Sequence, residues 1–295
     1  MKHRLQNTLL VCLLGSVASF THSQGNTNAV GTPIVISSGV EGGGYWNAAN
    51  RLQRVAAGMD LGVENAASVG SINNLRNLVD QSSPVSLAFA QADALQYYLN
   101  DHPNATRVID TLADIGNECV FIISDGKGDI ESIDDMAAAP RLHLGIKSAS
   151  SGMRVTWSYM TSLMPELKHI TVTYGNAVEM MTDFAHPLTD IERAVMVVQG
   201  PNERSPEIDM VIANPDRYQF VDISAANLTQ KTAGGAAVYE SMKVKPGAID
   251  HAKAVETICV RGLLLANTQK LDAEQRDTLM ALIANHWAEV TAPKE

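Results

Sequence analysis

Cysteine, aromatic residues and positive charge are all scarce in this chain of 295 residues. Its 3 cysteines form no Cys-x-x-Cys pair and its 8 histidines are scattered, so the sequence offers no ligand set for a structural metal. Lys and Arg number 22 against 32 Asp and Glu, a formal charge of -10, and no basic run gathers them. Nucleic acid is therefore not an expected partner, because phosphate binding needs a basic patch. An anionic ligand would have to be captured by local donors against an unfavourable overall field. No G-x-S-x-G elbow exposes a catalytic serine, and Lys127 lacks the upstream glycine spacing of a phosphate loop. Neither an acid/base pair nor an activated nucleophile emerges, so neither an enzyme nor a cofactor is expected.

The apolar stretch Leu9 to Leu14, extended by Val17, is too short to span a bilayer. It follows Lys2 and Arg4 and precedes small residues, the pattern of a signal peptide over residues 1–23. Cleavage is expected after Ser23, with Ala18 as the alternative point and a membrane anchor as the competing reading. Bulky Val11 before Cys12 argues against lipidation. The exported remainder keeps Cys119 and Cys259, an even count that admits a disulfide, with two buried free thiols as the alternative.

Glycine is where the chain becomes specific. Gly39-Val40-Glu41-Gly42-Gly43-Gly44-Tyr45-Trp46 follows a short apolar run and opens a helical pattern continued by Leu52, Val55, Ala56 and Met59. Strand, glycine turn and helix start together bring backbone N–H groups close to a ligand, because no Cβ blocks the approach and the helix start carries unpaired donors. Gly42, Gly43, Gly44 and Tyr45 are the leading binding candidates, with Trp46 assigned to the core. The apolar 45% of the chain is ample for one large or two smaller α/β lobes.

Two further βα units follow. One carries Ser68, Gly70 and Ser71, with Ser71 as helix cap or ligand contact. The other ends the buried strand 85–90 in Gln91, whose amide can donate and accept, followed by Asp93 as an N-cap. Asn74 reads as a helix-surface or capping residue. After an apolar strand at 117–124 the pattern restarts, and strand 142–146 runs into Ser148, Ser150, Ser151 and Gly152, a second donor set. Arg154 can pair bidentately with a carboxylate, a solvated arginine being the alternative, and Gln199 ends a later strand as a gate residue. Residues 232–247 read as loop, and strand 257–266 returns to the first lobe before a final helix over 274–287. This α/β order gives lobe 1 from 31–118 plus 260–295 and lobe 2 from 119–259, with hinge strands near 117–124 and 257–266. If those hinge strands are antiparallel neighbours, Cys119 and Cys259 can bridge them.

At this point the residues resemble a family. Gly39 to Trp46 resembles the glycine-rich opening of TAXI-family proteins, the single-chain solute receptors of TRAP transporters. Ser68 to Leu78, Val85 to Ala94, Leu144 to Gly152 and Cys259 to Ala266 are similar to that family's later motifs, in the same order. Met153-Arg154 and Asn117-Glu118-Cys119 depart from its usual residues. The resemblance implies a type II periplasmic binding protein fold, two lobes of mostly parallel sheet flanked by helices. It also implies a monomer in the periplasm that closes on a small carboxylate, a glutamate-like amino acid or dicarboxylate, and delivers it to a TRAP-type permease. A sensor feeding a signalling partner, or a periplasmic hydrolase or transferase, are the other readings of the same cleft.

Overall fold

A computed structural model describes residues 32–184, 191–232, 237–248 and 253–292; the expected signal peptide lies outside them. The first lobe opens with three βα units: β1 (Ile34–Gly39), α1 (Gly44–Ala57), β2 (Val63–Ala67), α2 (Ser71–Val79), β3 (Val85–Gln91) and α3 (Ala92–Asp101). A long strand, β4 (Ile109–Asp125), leads away, followed by α4 (Ile133–Ala138), β5 (Leu142–Ile146), α5 (Gly152–Leu163), β6 (Thr171–Tyr174) and α6 (Ala177–Thr182). Then come β7 (Glu192–Gln199), α7 (Pro206–Ala213), β8 (Tyr218–Val221), β9 (Tyr239–Val244), β10 (Val255–Asn267) and α8 (Ala273–Thr291).

The strands join in the order β2-β1-β3-β10-β4-β7-β5-β6, with β8 added to β4 and β9 to β10. The order 2-1-3 in the first half is mirrored by 6-5-7 in the second, and the two long strands β4 and β10 serve both. The βα pairs β1–β2, β1–β3, β5–β6 and β5–β7 are parallel, whereas β10 runs antiparallel to β3, β4 and β9. This is the two-lobed α/β binding-protein arrangement expected from the sequence.

Burial explains the strand sequences. Every residue of Val85-Ser86-Leu87-Ala88-Phe89-Ala90-Gln91 is buried, as a central strand with helices on both faces requires. Ile36, Leu52, Phe89, Leu264, Leu279 and Leu282 belong to one core cluster of the first half. In the second half Val120, Leu144, Trp157, Met160, Met196 and Val260 belong to another. Helix starts are closed by local chemistry: Ser132 with Asp135 and Asp272 with Gln275 form capping boxes at α4 and α8.

Several expectations need correction. β4 begins at Ile109, eight residues before the expected strand; its outer part, 109–117, is only half-buried or exposed and mixes polar with apolar residues, so no continuous apolar run marks it. Residues 239–244, read as loop, form β9 against β10, with Glu240, Ser241 and Lys243 outward and Tyr239 buried. Cys119 lies directly opposite Cys259 on the antiparallel crossover strands, and their sulfurs are bonded at 1.99 Å.

Candidate functional site

The turns that sequence reasoning picked out lie at the carboxyl ends of the parallel strands. Between β1 and α1 the chain needs positive φ at Gly39 (141°) and Gly42 (78°), which glycine alone adopts without strain. Gly43 is the N-cap of α1 and has no side chain to accept from the first N–H groups of the helix. A Cβ at Gly42 or Gly44 would meet open space, so this turn borders solvent rather than a packed neighbour. The second turn is tied to the first by Ser68 N–H donating to Gly39 O at 2.8 Å. Gly70, at φ 134°, is the N-cap of α2 without a side-chain cap; Ser71, expected as helix cap or ligand contact, does not cap and is the first, buried helical residue.

The second half supplies the facing turn. Ser151 Oγ donates to Ser148 O at 2.7 Å and caps α5 by accepting from Arg154 N–H. Ser148 and Ser150 hydroxyls lie 3.4 Å apart. The two halves meet here: a Cβ on Gly70 would sit 3.1 Å from Ser150 O and 3.6 Å from Gly152 N. A Cβ on Gly152 would sit 2.5 Å from Gln91 Oε1. Turn 68–71, Gln91 and turn 148–152 therefore converge from opposite halves, and Gly70 and Gly152 permit the approach.

Gln91 connects this junction to a residue that sequence reasoning left out. Its Nε2 donates to Glu118 Oε2 at 2.7 Å, on the crossover strand β4. Burial pushes the Glu118 carboxyl up to about 7; the Tyr45 hydroxyl draws it partly back, Asp93 raises it, Gln91 lowers it and Glu203 raises it again. No Lys or Arg pairs with Glu118 among the described residues. The sequence held one clue, an acid one residue before the apolar run Cys119-Val120-Phe121-Ile122-Ile123, where only a partner or a function retains charge.

Tyr45 packs its ring on Phe89, with centroids 5.6 Å apart, and lies half-buried against the first core cluster; Trp46, expected in the core, is likewise half-buried and is not among the residues of that cluster. The buried Tyr45 hydroxyl makes no hydrogen bond of normal geometry although it lies beside Glu118. Burial, then Glu118, holds its pKa well above the usual phenol value. Gly262 on β10 makes room for it, since a Cβ there would lie 3.2 Å from that oxygen.

Other expectations move. Arg154 Nε donates to Tyr174 Oη at 3.0 Å and its guanidinium also bonds Ser158, which holds it along its own helix. Gln199 is buried with its amide donating to Glu203 O at 2.7 Å. Asp93 is not an N-cap: it is fully buried between α3, α5 and β9, accepting from Ala94 N–H at 2.7 Å and from Tyr239 Oη at 2.9 Å. Burial raises its pKa despite those bonds. Asn74 is likewise buried, accepting from Ser37 Oγ and donating to Phe89 O. A cavity of about 290 Å³ lies apart from these turns, among Val211, Pro215, Tyr218, Phe220 and Val255. No group of three or more metal-ligating side chains occurs among the described residues, and no helix there is long and apolar enough to cross a membrane.

The strand order and the converging turns define a two-lobed α/β fold, and solved structures similar to this chain were found. XAC2383 from Xanthomonas citri, bound to ATP, superposes with a TM-score of 0.51 at 9% identity, over 88% of this chain and 86% of that one. A binding-protein component of an ABC phosphonate transporter from Pseudomonas aeruginosa gives 0.45 at 12% identity, covering 88% and 78%. Lactococcal OpuAC complexed with glycine betaine gives 0.46 at 10% identity, covering 88% and 93%. At such identities the likeness is one of fold alone. No family model and no curated protein matches the chain.

Proposed function

We propose that this protein is an extracytoplasmic solute receptor of the TRAP type, exported by residues 1–23, that holds a small carboxylate between its lobes and hands it to a membrane permease. The observation that carries the reading is the meeting of turn 68–71 and Gln91 with turn 148–152, two half-sites on opposite halves of the sheet. Half-sites of this kind gain ligand contacts together only when brought together, which is the logic of hinge closure. Lobes spanning 31–118 with 260–295, and 119–259, fit a hinge at the crossover strands. The uncapped starts of α1 and α2 and the hydroxyls of Ser148 and Ser150 are donors suited to a carboxylate. Gly42, Gly43 and Gly44 would extend that cradle; Arg154 and Gln199 would reach it only by leaving their present partners. The serines of turn 148–152 bond each other and the backbone rather than a base, which favours binding over catalysis.

A thermal-shift screen of the purified chain against amino acids, dicarboxylates, sulfonates and phosphonates tests the reading. A ligand at 100-fold its dissociation constant adds about 2.7 kcal/mol of apparent stability. A shift from carboxylates supports the proposal; a shift only from another class, or from none, sinks it.

A further inference from the structure

Resting on the receptor reading, we propose that Glu118 is the amine-binding residue of the cleft, so that the solute is an amino acid rather than a dicarboxylate. Glu118 stands on the crossover strand at the junction of the halves, one hydrogen bond from Gln91, the residue Gly152 packs against. The polar and charged groups acting on its carboxyl are Tyr45 from α1, Gln91 and Asp93 from the β3–α3 junction, and Glu203 from the turn after β7. Val260 of β10 lies opposite it in the strand register and carries no charge. None of these is a cation. Two of them, Asp93 and Glu203, repel its charge.

An ionised carboxylate in such surroundings lacks a counter-ion, and a ligand ammonium supplies one. The buried Tyr45 hydroxyl lies beside Glu118 with no hydrogen bond of normal geometry, and even when its proton turns to that carboxylate its oxygen is free to accept from an amine. A second ligand carboxylate placed here would instead meet three acids. The opposite end of the solute has better partners, since the donors of turns 68–71 and 148–152 await its carboxylate.

The sign of the pH dependence separates the two solute classes. An ammonium needs Glu118 ionised, so its affinity rises with pH until the residue, with a pKa of about 7 without ligand, has lost its proton. A dicarboxylate would prefer Glu118 protonated and would bind better as pH falls.

Calorimetric titration uses the amino acid giving the largest thermal shift and the same acid lacking the amine, glutamate with glutarate for example, at pH 5.5 and pH 8. Expected are at least tenfold tighter binding of the amino acid at pH 8, about tenfold weaker binding of it at pH 5.5, and loss of both differences in Glu118→Gln. The melting midpoint of Glu118→Gln, and its retained binding of the deaminated acid, show that the variant is folded. The proposal is overturned if the deaminated acid binds as tightly, if its affinity alone responds to pH, or if Glu118→Gln keeps the preference. If carboxylates bind but no amine-bearing solute does, this inference fails while the receptor reading stands. If no carboxylate binds, the receptor reading fails and takes this inference with it.

Discussion

Removing the Cys119–Cys259 bond tests the crossover geometry on which the two-lobed arrangement depends. The bond closes a sequence separation of 140 residues across the antiparallel pair β4–β10. Chain entropy for a loop of that length gives about 5 kcal/mol as an upper figure, and removal of native disulfides commonly costs about 2 to 5 kcal/mol. For a chain of this size that is a fall of roughly 4 to 10 °C in the melting midpoint. Both cysteines are buried, at 0% and 2% exposure, so reductant added to the native protein will act slowly and the perturbation is better made by Cys119→Ala/Cys259→Ala. Urea unfolding followed by circular dichroism is the assay, with the slope read beside the midpoint. An uncrosslinked denatured chain exposes more surface, so the slope should rise as the midpoint falls. Mass spectrometry of the exported wild type should show the mass of the disulfide form. Free thiols in that sample, or a double variant with unchanged midpoint and slope, would refute the pairing and the strand register with it.

Two further perturbations probe the junction between the halves. Gly70→Ala forces a side chain into φ 134° and within 3.1 Å of Ser150 O, so about 1 to 3 kcal/mol of stability should be lost by thermal melting; an unchanged midpoint contradicts the turn geometry. Tyr239→Phe takes a donor from buried Asp93 and should cost about 1 to 3 kcal/mol. Asp93 has its pKa raised in the fold, so it binds more protons folded than unfolded and its contribution falls as pH rises above the ordinary carboxylate range. Losing a bond to the ionised form should deepen that fall, and a Tyr239→Phe penalty that does not grow between pH 4 and pH 8 counts against the account.

The order of βα units was legible because buried strands such as Val85 to Ala90 and helix stripes such as Ile72, Leu75 and Leu78 carry period signals in the chain itself. β9 was not legible: in Tyr239-Glu240-Ser241-Met242-Lys243-Val244 only the two end residues are buried, so no alternation marks the segment, and it is a strand because β10 offers an edge. Asp93 and Asn74 read as helix-start and helix-surface residues on local preference. Tertiary partners overrode that preference, Tyr239 lying 146 residues from Asp93 and Ser37 lying 37 from Asn74. Gly70 and Gly152 were picked for donors, and their close approach to Ser150 and Gln91 depends on how two halves of a sheet face each other. Glu118 required most: its setting is made by β3, α1 and the turn after β7, none adjacent to it in the chain.

Glu118 and Cys119 are consecutive on β4, and successive strand side chains leave by opposite faces. The bridge at Cys119 thus pins β4 to β10 immediately beside the carboxylate that faces the junction. Glu118 is held by the part of the fold common to both halves, whereas turns 68–71 and 148–152 are each carried by one half. On the receptor reading, closure brings the turns to the solute but leaves the acid where it was. Charge selection and closure are then separable. A change at Glu118 should alter which solute binds, and a change at Gly70 should weaken every solute alike, because one acts on the ligand's amine and the other on the distance between the jaws.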